Sequence, residues 1–157
     1  NSTKEEVSLK EEMELLQLYV ELESLRFKES FHYVIECDKA LDPEETYVPA
    51  LLLQPLVENA IWHGLMHKSG QRFLSIQFKD CGEACLLCRI EDNGVGRQAS
   101  GLNGNEKEHT GKGLSVAIER LKALNEKNGT KNNLAVTDLR DESGNAAGTR
   151  IDITLYY

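Results

Sequence analysis

The sequence predicts an α+β fold, a two-layer sandwich in which a mixed, mostly antiparallel sheet carries its helices on one face. Three observations lead there. Segments with the helical apolar period occupy residues 5–28 and 114–127. Two pairs of strand-like runs meet at tight turns, one marked by Gly82 and the other by Ser143 to Gly148. With 157 residues, 40% of them hydrophobic, the chain can build one sizeable core.

Between Glu5 and about Lys28, Val7, Met13, Leu16, Tyr19, Val20 and Phe27 recur at helical steps, and Leu9, Leu15, Leu22 and Leu25 widen the stripe. Such width suits a sheet, a partner helix or the domain's own core. Phe31 to Asp38 alternates Phe31, Tyr33, Ile35 and Cys37 with His32, Glu36 and Asp38, as a half-buried strand does. Leu41 to Glu45 is a turn. A helix follows with Pro49 in its first turn, where a missing N–H costs nothing, and runs to Gly64 on Leu51, Leu52, Leu56, Ala60 and Ile61. Arg72 to Lys79 and Ala84 to Glu91 form a hairpin that delivers Asp92 to a strand end. Arg97 to Thr110 has two glycines, no aromatic residue and no period, and reads as a mobile loop. Leu114 to Lys127 is a helix stopped at Gly129, and Leu134 to Arg140 pairs with Thr149 to Tyr157.

A net charge of −8 argues against a broad nucleic-acid surface, so any phosphate must be met locally. No run approaches the ~18 apolar residues of a membrane span, and no signal peptide is visible. The expectation is a soluble cytoplasmic piece, and a start at Asn1 suggests it is cut from something longer. Cys85 and Cys88 invite a zinc reading, but residues three apart in a strand face opposite sides. Reduced structural thiols at Cys37, Cys81, Cys85 and Cys88 are expected instead.

The chemistry concentrates in a few short stretches. Asn59 and His63, four apart on an apolar helix, share a stripe with Pro55. Taken alone they read as a satisfied core amide and a core histidine, yet such groups need partners, and the partner can be a ligand. Asp92-Asn93-Gly94-Val95-Gly96 alone is a turn, although its glycines also let the backbone approach a flat ligand. Gly111-Lys112-Gly113-Leu114 opens a helix, whose free N–H groups suit phosphate. It is no Walker loop, because Glu106 stands where the first glycine belongs and Gly113 where Ser or Thr is required. Gly94-Val95-Gly96 is no Rossmann fingerprint, since Ala99 occupies the third glycine's place.

Taken in order, Leu53 to Gly64, Asp92 to Gly96, Gly111 to Leu114 and Gly148-Thr149 resemble the N, G1 and G2 boxes and late Gly-Thr of the GHKL, or Bergerat-fold, ATP-binding superfamily. With Tyr19 to Glu23 and Leu25-Arg26-Phe27, the wording is similar to the catalytic domain of LytS-like sensor histidine kinases, over nearly the whole chain. The resemblance implies ATP and Mg²⁺ as cofactors. Asp92 would accept the adenine amino group, Thr149 would be the second adenine contact, and Asn59 would hold the metal. His63, Lys112 and the glycine boxes Gly94, Val95, Gly96, Gly111, Gly113 and Leu114 would complete the ATP site. Residues 97–110 would be the lid over the phosphates.

The resemblance further divides the chain into a linker helix, 1–28, and a catalytic domain, 29–157. The partners it implies are a phosphoacceptor and dimerisation domain and a response regulator, in a parent that is a homodimer of the inner membrane. Neither nucleic acid nor membrane contact is expected of this piece. Two departures stand out. Trp62 replaces a phosphate-facing lysine, and Pro55 replaces the water-activating glutamate of GHKL hydrolases, which disfavours hydrolysis and fits transfer to histidine. Glu58, one residue off the stripe, and His63 are the candidate catalytic groups. The rival readings are an inactive nucleotide-binding sensor and a GHKL hydrolase. His32 lacks the acceptor-histidine surroundings.

Overall fold

The computed structural model describes residues 5–27, 31–97 and 104–157, with only the helical backbone over 104–111. In chain order the elements are β1 (Glu6–Ser8), α1 (Leu9–Ser24), β2 (Phe31–Cys37), β3 (Tyr47–Pro49), α2 (Gln54–Asn59), a π-helical turn (Ala60–Leu65), β4 (Arg72–Asp80), β5 (Cys85–Asp92), α3 (Gly104–Asn128), β6 (Asn133–Arg140) and β7 (Ala146–Tyr156). Five strands form one sheet in the order β2-β4-β5-β7-β6. The β2–β4 pair is parallel and the other three pairs are antiparallel. The mixed, mostly antiparallel α+β sandwich is therefore the observed architecture.

Strand alternation makes the sheet two-faced. Leu74, Ile76 and Phe78 of β4, Leu86, Cys88 and Ile90 of β5, and Ile151, Ile153 and Leu155 of β7 point into the core. They meet Leu9, Leu16 and Val20 of α1, Leu56, Val57 and Ile61 from α2 and its π turn, and Ala117 and Leu121 of α3. The intervening residues face out, where Arg89 pairs with Asp152 and Arg150 with Glu91, each at 2.7 Å.

Several local expectations need correction. The first helix starts at Leu9 rather than Glu5, because the Ser8 hydroxyl accepts the Glu11 N–H (3.1 Å) as an N-cap. Glu6–Ser8 pairs instead with Tyr47–Pro49. Pro49 thus closes a strand, and the first-turn proline of α2 is Pro55. Residues 98–103 of the expected loop lie outside the described residues, but 104–110 belong to α3. Glu106, Lys107 and Glu108 are straight-chain residues that cost a helix little, whereas each helical glycine costs roughly 1 kcal/mol. Gly111 to Leu114 consequently lies inside α3 rather than at its N-terminus. The C-terminal end of α3 is as expected, with Gly129 at φ +66 donating its N–H to the Asn125 carbonyl (2.8 Å). Strand β7 begins at Ala146 rather than Thr149, because Asp141 accepts the Ser143 and Asn145 N–H groups (both 2.9 Å) and closes the turn earlier.

The cysteine reading also changes. Cys81 and Cys85 form a disulfide across the β4–β5 turn, their Cα atoms 5.2 Å apart, within the range such bonds require. Cys37 and Cys88 are free thiols, and burial pushes the Cys88 thiol well above its usual range.

Candidate functional site

A cavity of about 40 Å³ lies between the sheet and the helices. Register builds its floor. Ile90, Ile151 and Val136 are directly opposed across β5, β7 and β6, and so are Asp92, Thr149 and Asp138 one step along. Opposed residues share a face, so an apolar row and a polar row run side by side. The apolar row lines the cavity together with Asp92 and Thr149. Above them stand Asn59, Ala60, His63 and Gly64 from α2 and its π turn, and Leu114 from α3.

Asp92 is buried, 4% exposed, and surrounded by main chain. The Gly94 N–H donates to its Oδ1 at 2.8 Å, and a Cβ on Gly64 would lie 2.5 Å from that same oxygen. Only glycine fits at 64. A Cβ on Gly94 would collide with the Gly64 backbone, and one on Gly148 would collide with the Asp92 carbonyl. Burial pushes the Asp92 carboxyl up to about 7, against the pull of the Gly94 and Thr149 N–H groups. Asn93 holds the strand end, accepting the Phe73 N–H (2.8 Å) and donating to the Gln71 carbonyl (3.1 Å). The Val95 N–H reaches the Gly64 carbonyl at 3.0 Å, tying the turn after β5 to the π turn. That turn carries the widened i→i+5 bond from the Met66 N–H to the Ile61 carbonyl (2.8 Å).

Asn59 and His63 both reach the cavity. His63 is buried in its wall, 6% exposed. The carboxamide of Asn59 meets α3 where Gly113 passes: a Cβ there would stand 2.7 Å from Nδ2, 2.8 Å from Oδ1 and 2.8 Å from the Pro55 carbonyl. Gly113 therefore serves close helix packing. Lys112 is exposed and is not among the lining residues, unlike its neighbour Leu114. Gly96, at φ +85, completes the turn that follows Asp92.

Glu58 is also absent from the lining. After burial and Glu23, it is a further cause that pushes the Tyr19 phenol up, which places it toward α1. Trp62 too lies outside the lining, with the Arg26 guanidinium 5.0 Å above its ring. The sequence reading missed Arg97, which lines the cavity and forks onto Asp138. Its place one residue after Gly96 was the available signal. Among the described residues, no group of three His, Cys, Asp or Glu side chains gathers where it could hold an ion.

The fold is that of histidine kinase catalytic domains. The solved structure of the mycobacterial sensor histidine kinase MprB superposes with a TM-score of 0.62 at 17% identity, covering 97% of this chain and 96% of that one. Sequence narrows the class. Sensor histidine kinase YesM of Bacillus subtilis is 31% identical over 157 residues, 97% of this chain and 24% of the relative. Sensor protein LytS of Streptococcus agalactiae is 28% identical over 118 residues, 74% of this chain and 20% of the relative. No family model matches. Sequence and fold together make the chain similar to the catalytic part of LytS-like sensor histidine kinases. It spans about a fifth to a third of the length of the curated relatives it matches.

Proposed function

We propose that this chain binds Mg²⁺-ATP and passes the γ-phosphate to a histidine on a separate helical domain of its parent. One observation carries the reading: Asp92 and Asn59, far apart in sequence, line the same cavity. The buried Asp92 carboxylate accepts the exocyclic amino group of adenine, which guanine would replace with a carbonyl, and Thr149 beside it adds the second polar contact. The apolar row of Ile90, Ile151 and Val136 supplies a flat floor for the ring.

Asn59 offers a carboxamide oxygen. A hard oxygen donor fits magnesium, which tolerates one protein ligand while phosphate and water fill the rest. When bound, the ion neutralises phosphate charge. The donors present thus fit the group. His63 faces the phosphate side, and Lys112 with the backbone of Gly111 and Gly113 lies next along α3. The cavity itself has room for about three water molecules, so a bound nucleotide would have to widen it. Pro55 offers no base to activate water, which favours a histidine acceptor over hydrolysis. Glu58, turned toward Tyr19, would serve only an acceptor approaching from the α1 side.

In this reading residues 1–28 connect the catalytic domain to the dimerisation and phosphoacceptor helices, and a response regulator receives the phosphoryl group. The parent is a membrane-bound homodimer whose catalytic part works in the cytoplasm. Mixing the chain with a fragment that bears the acceptor histidine and γ-labelled ATP tests the proposal. Label should appear on the acceptor fragment and not on this chain. Bound nucleotide without transfer would overturn it in favour of an inactive nucleotide-binding sensor. That second reading draws on Trp62, which stacks under Arg26 where the resemblance expects a phosphate-facing lysine.

A further inference from the structure

The cavity has one charged wall that the boxes do not explain. Arg97 follows the Asp92–Gly96 turn directly and lines the cavity beside Thr149 and Val136. Its Nε and Nη2 donate to the two carboxylate oxygens of Asp138, both at 2.9 Å. A bidentate fork fixes the plane of the guanidinium as well as its position. Asp138 in turn opposes Thr149, which opposes Asp92, so the anchor of Arg97 continues, just outside the cavity, the row whose other two members line it. The two side chains are each 41% exposed, and an ion pair so exposed adds little stability. Orientation is what the pair provides.

We infer that Arg97, held flat by Asp138, closes the end of the purine slot and lays its guanidinium against the adenine base, so that it binds the base rather than the phosphates. This rests on the nucleotide reading above. Two features separate base from phosphate. The Asp138 carboxylate neutralises the guanidinium and would repel a polyanion at the same spot. The neighbouring surface is the apolar pair Val136 and Ile151, beside which a planar, weakly hydrated cation stacks on a ring system. Asp138 is then a positioning residue, acting through Arg97.

The test compares ATP with adenosine, which lacks every phosphate, by calorimetry on the 157-residue chain and on Arg97→Ala, Arg97→Lys and Asp138→Asn. Each variant is first checked by thermal melting. Arg97→Ala should weaken ATP and adenosine by the same factor, about tenfold, the size of a desolvated cation–π contact. Arg97→Lys should recover little, because an ammonium cannot lie flat on a ring. Asp138→Asn should lose a few-fold when Arg97 is present and nothing further in the Arg97→Ala background. Weaker ATP with unchanged adenosine would assign Arg97 to the phosphates and overturn the inference, as would two unchanged affinities. Failure of the unaltered chain to bind either compound would instead sink the nucleotide reading itself.

Discussion

Glu91 and Asp92 are neighbours on β5 and share a charge type, yet they fall on opposite faces of the sheet. Glu91 faces out, meets Arg150 at 2.7 Å and keeps a side chain 37% exposed. Asp92 faces in, is 4% exposed, and meets only backbone N–H groups among its identified partners. An outward pair of that kind is worth about 0–1 kcal/mol. Burial works against the charge of the inward carboxyl and raises it to about 7, the kind of perturbed group from which candidate sites are built. One residue's step along a strand separates a solvent-facing charge from a buried carboxyl on a cavity wall.

The sharpest way to break this contrast is Asp92→Asn. The amide keeps the shape but presents no charge to an amino group, so ATP affinity should fall by about a hundredfold, the loss of a charge-assisted hydrogen bond, while circular dichroism stays native. Normal ATP binding by this variant would misplace the pocket. Asn59→Ala comes next, costing about tenfold in affinity measured with magnesium and little in its absence. A loss of equal size with chelator present would remove Asn59 from the metal.

The pH dependence of folding sharpens the comparison in solution. Asp92 has its carboxyl raised from about 4 to about 7, so the folded state holds a proton that the unfolded chain has released across that window. Its contribution to stability is therefore full below about pH 4 and lost as pH rises toward 7. Glu12, buried under the turn before α2, is also raised, chiefly by desolvation, and acts in the same direction. Urea denaturation at steps between pH 4 and 8 should show stability falling on the order of 1 kcal/mol or more, and Asp92→Asn should flatten that slope. The smallest effect belongs to the outward face. Glu91→Gln should change stability by less than about 1 kcal/mol and leave ATP affinity untouched; a larger loss would mean the outer face also shapes the site.

How much of this was legible depends on how far apart the cooperating residues lie. Asp92, Asn93, Gly94 and Gly96 are contiguous, so their turn could be read directly. Asn59 and His63 are one turn apart on a helix and could be read from spacing. Their arrival in one cavity with Asp92 and Thr149 needed the resemblance, since no local pattern links residues so distant. The floor was hidden because Val136 joins it, and Asp138 comes to lie beside Thr149, only through the β6–β7 register. The Cys81–Cys85 bond depends likewise on how tightly the β4–β5 turn closes. The π turn after Asn59 left no mark, because its residues are those of an ordinary apolar helix. The glycines at 111 and 113 misled in the opposite way. They suggested a helix start, whereas Gly113 lets α3 cross close over Pro55 and Asn59.

The crossing of Gly64 over Gly94 bears on how the domain can change over generations. Because bare main chain touches bare main chain there, no side chain separates the π turn from the turn that carries Asp92. Both positions are thereby closed to change, since a single methyl group gained at Gly64 would press on the Asp92 carboxylate and one at Gly94 on the Gly64 backbone.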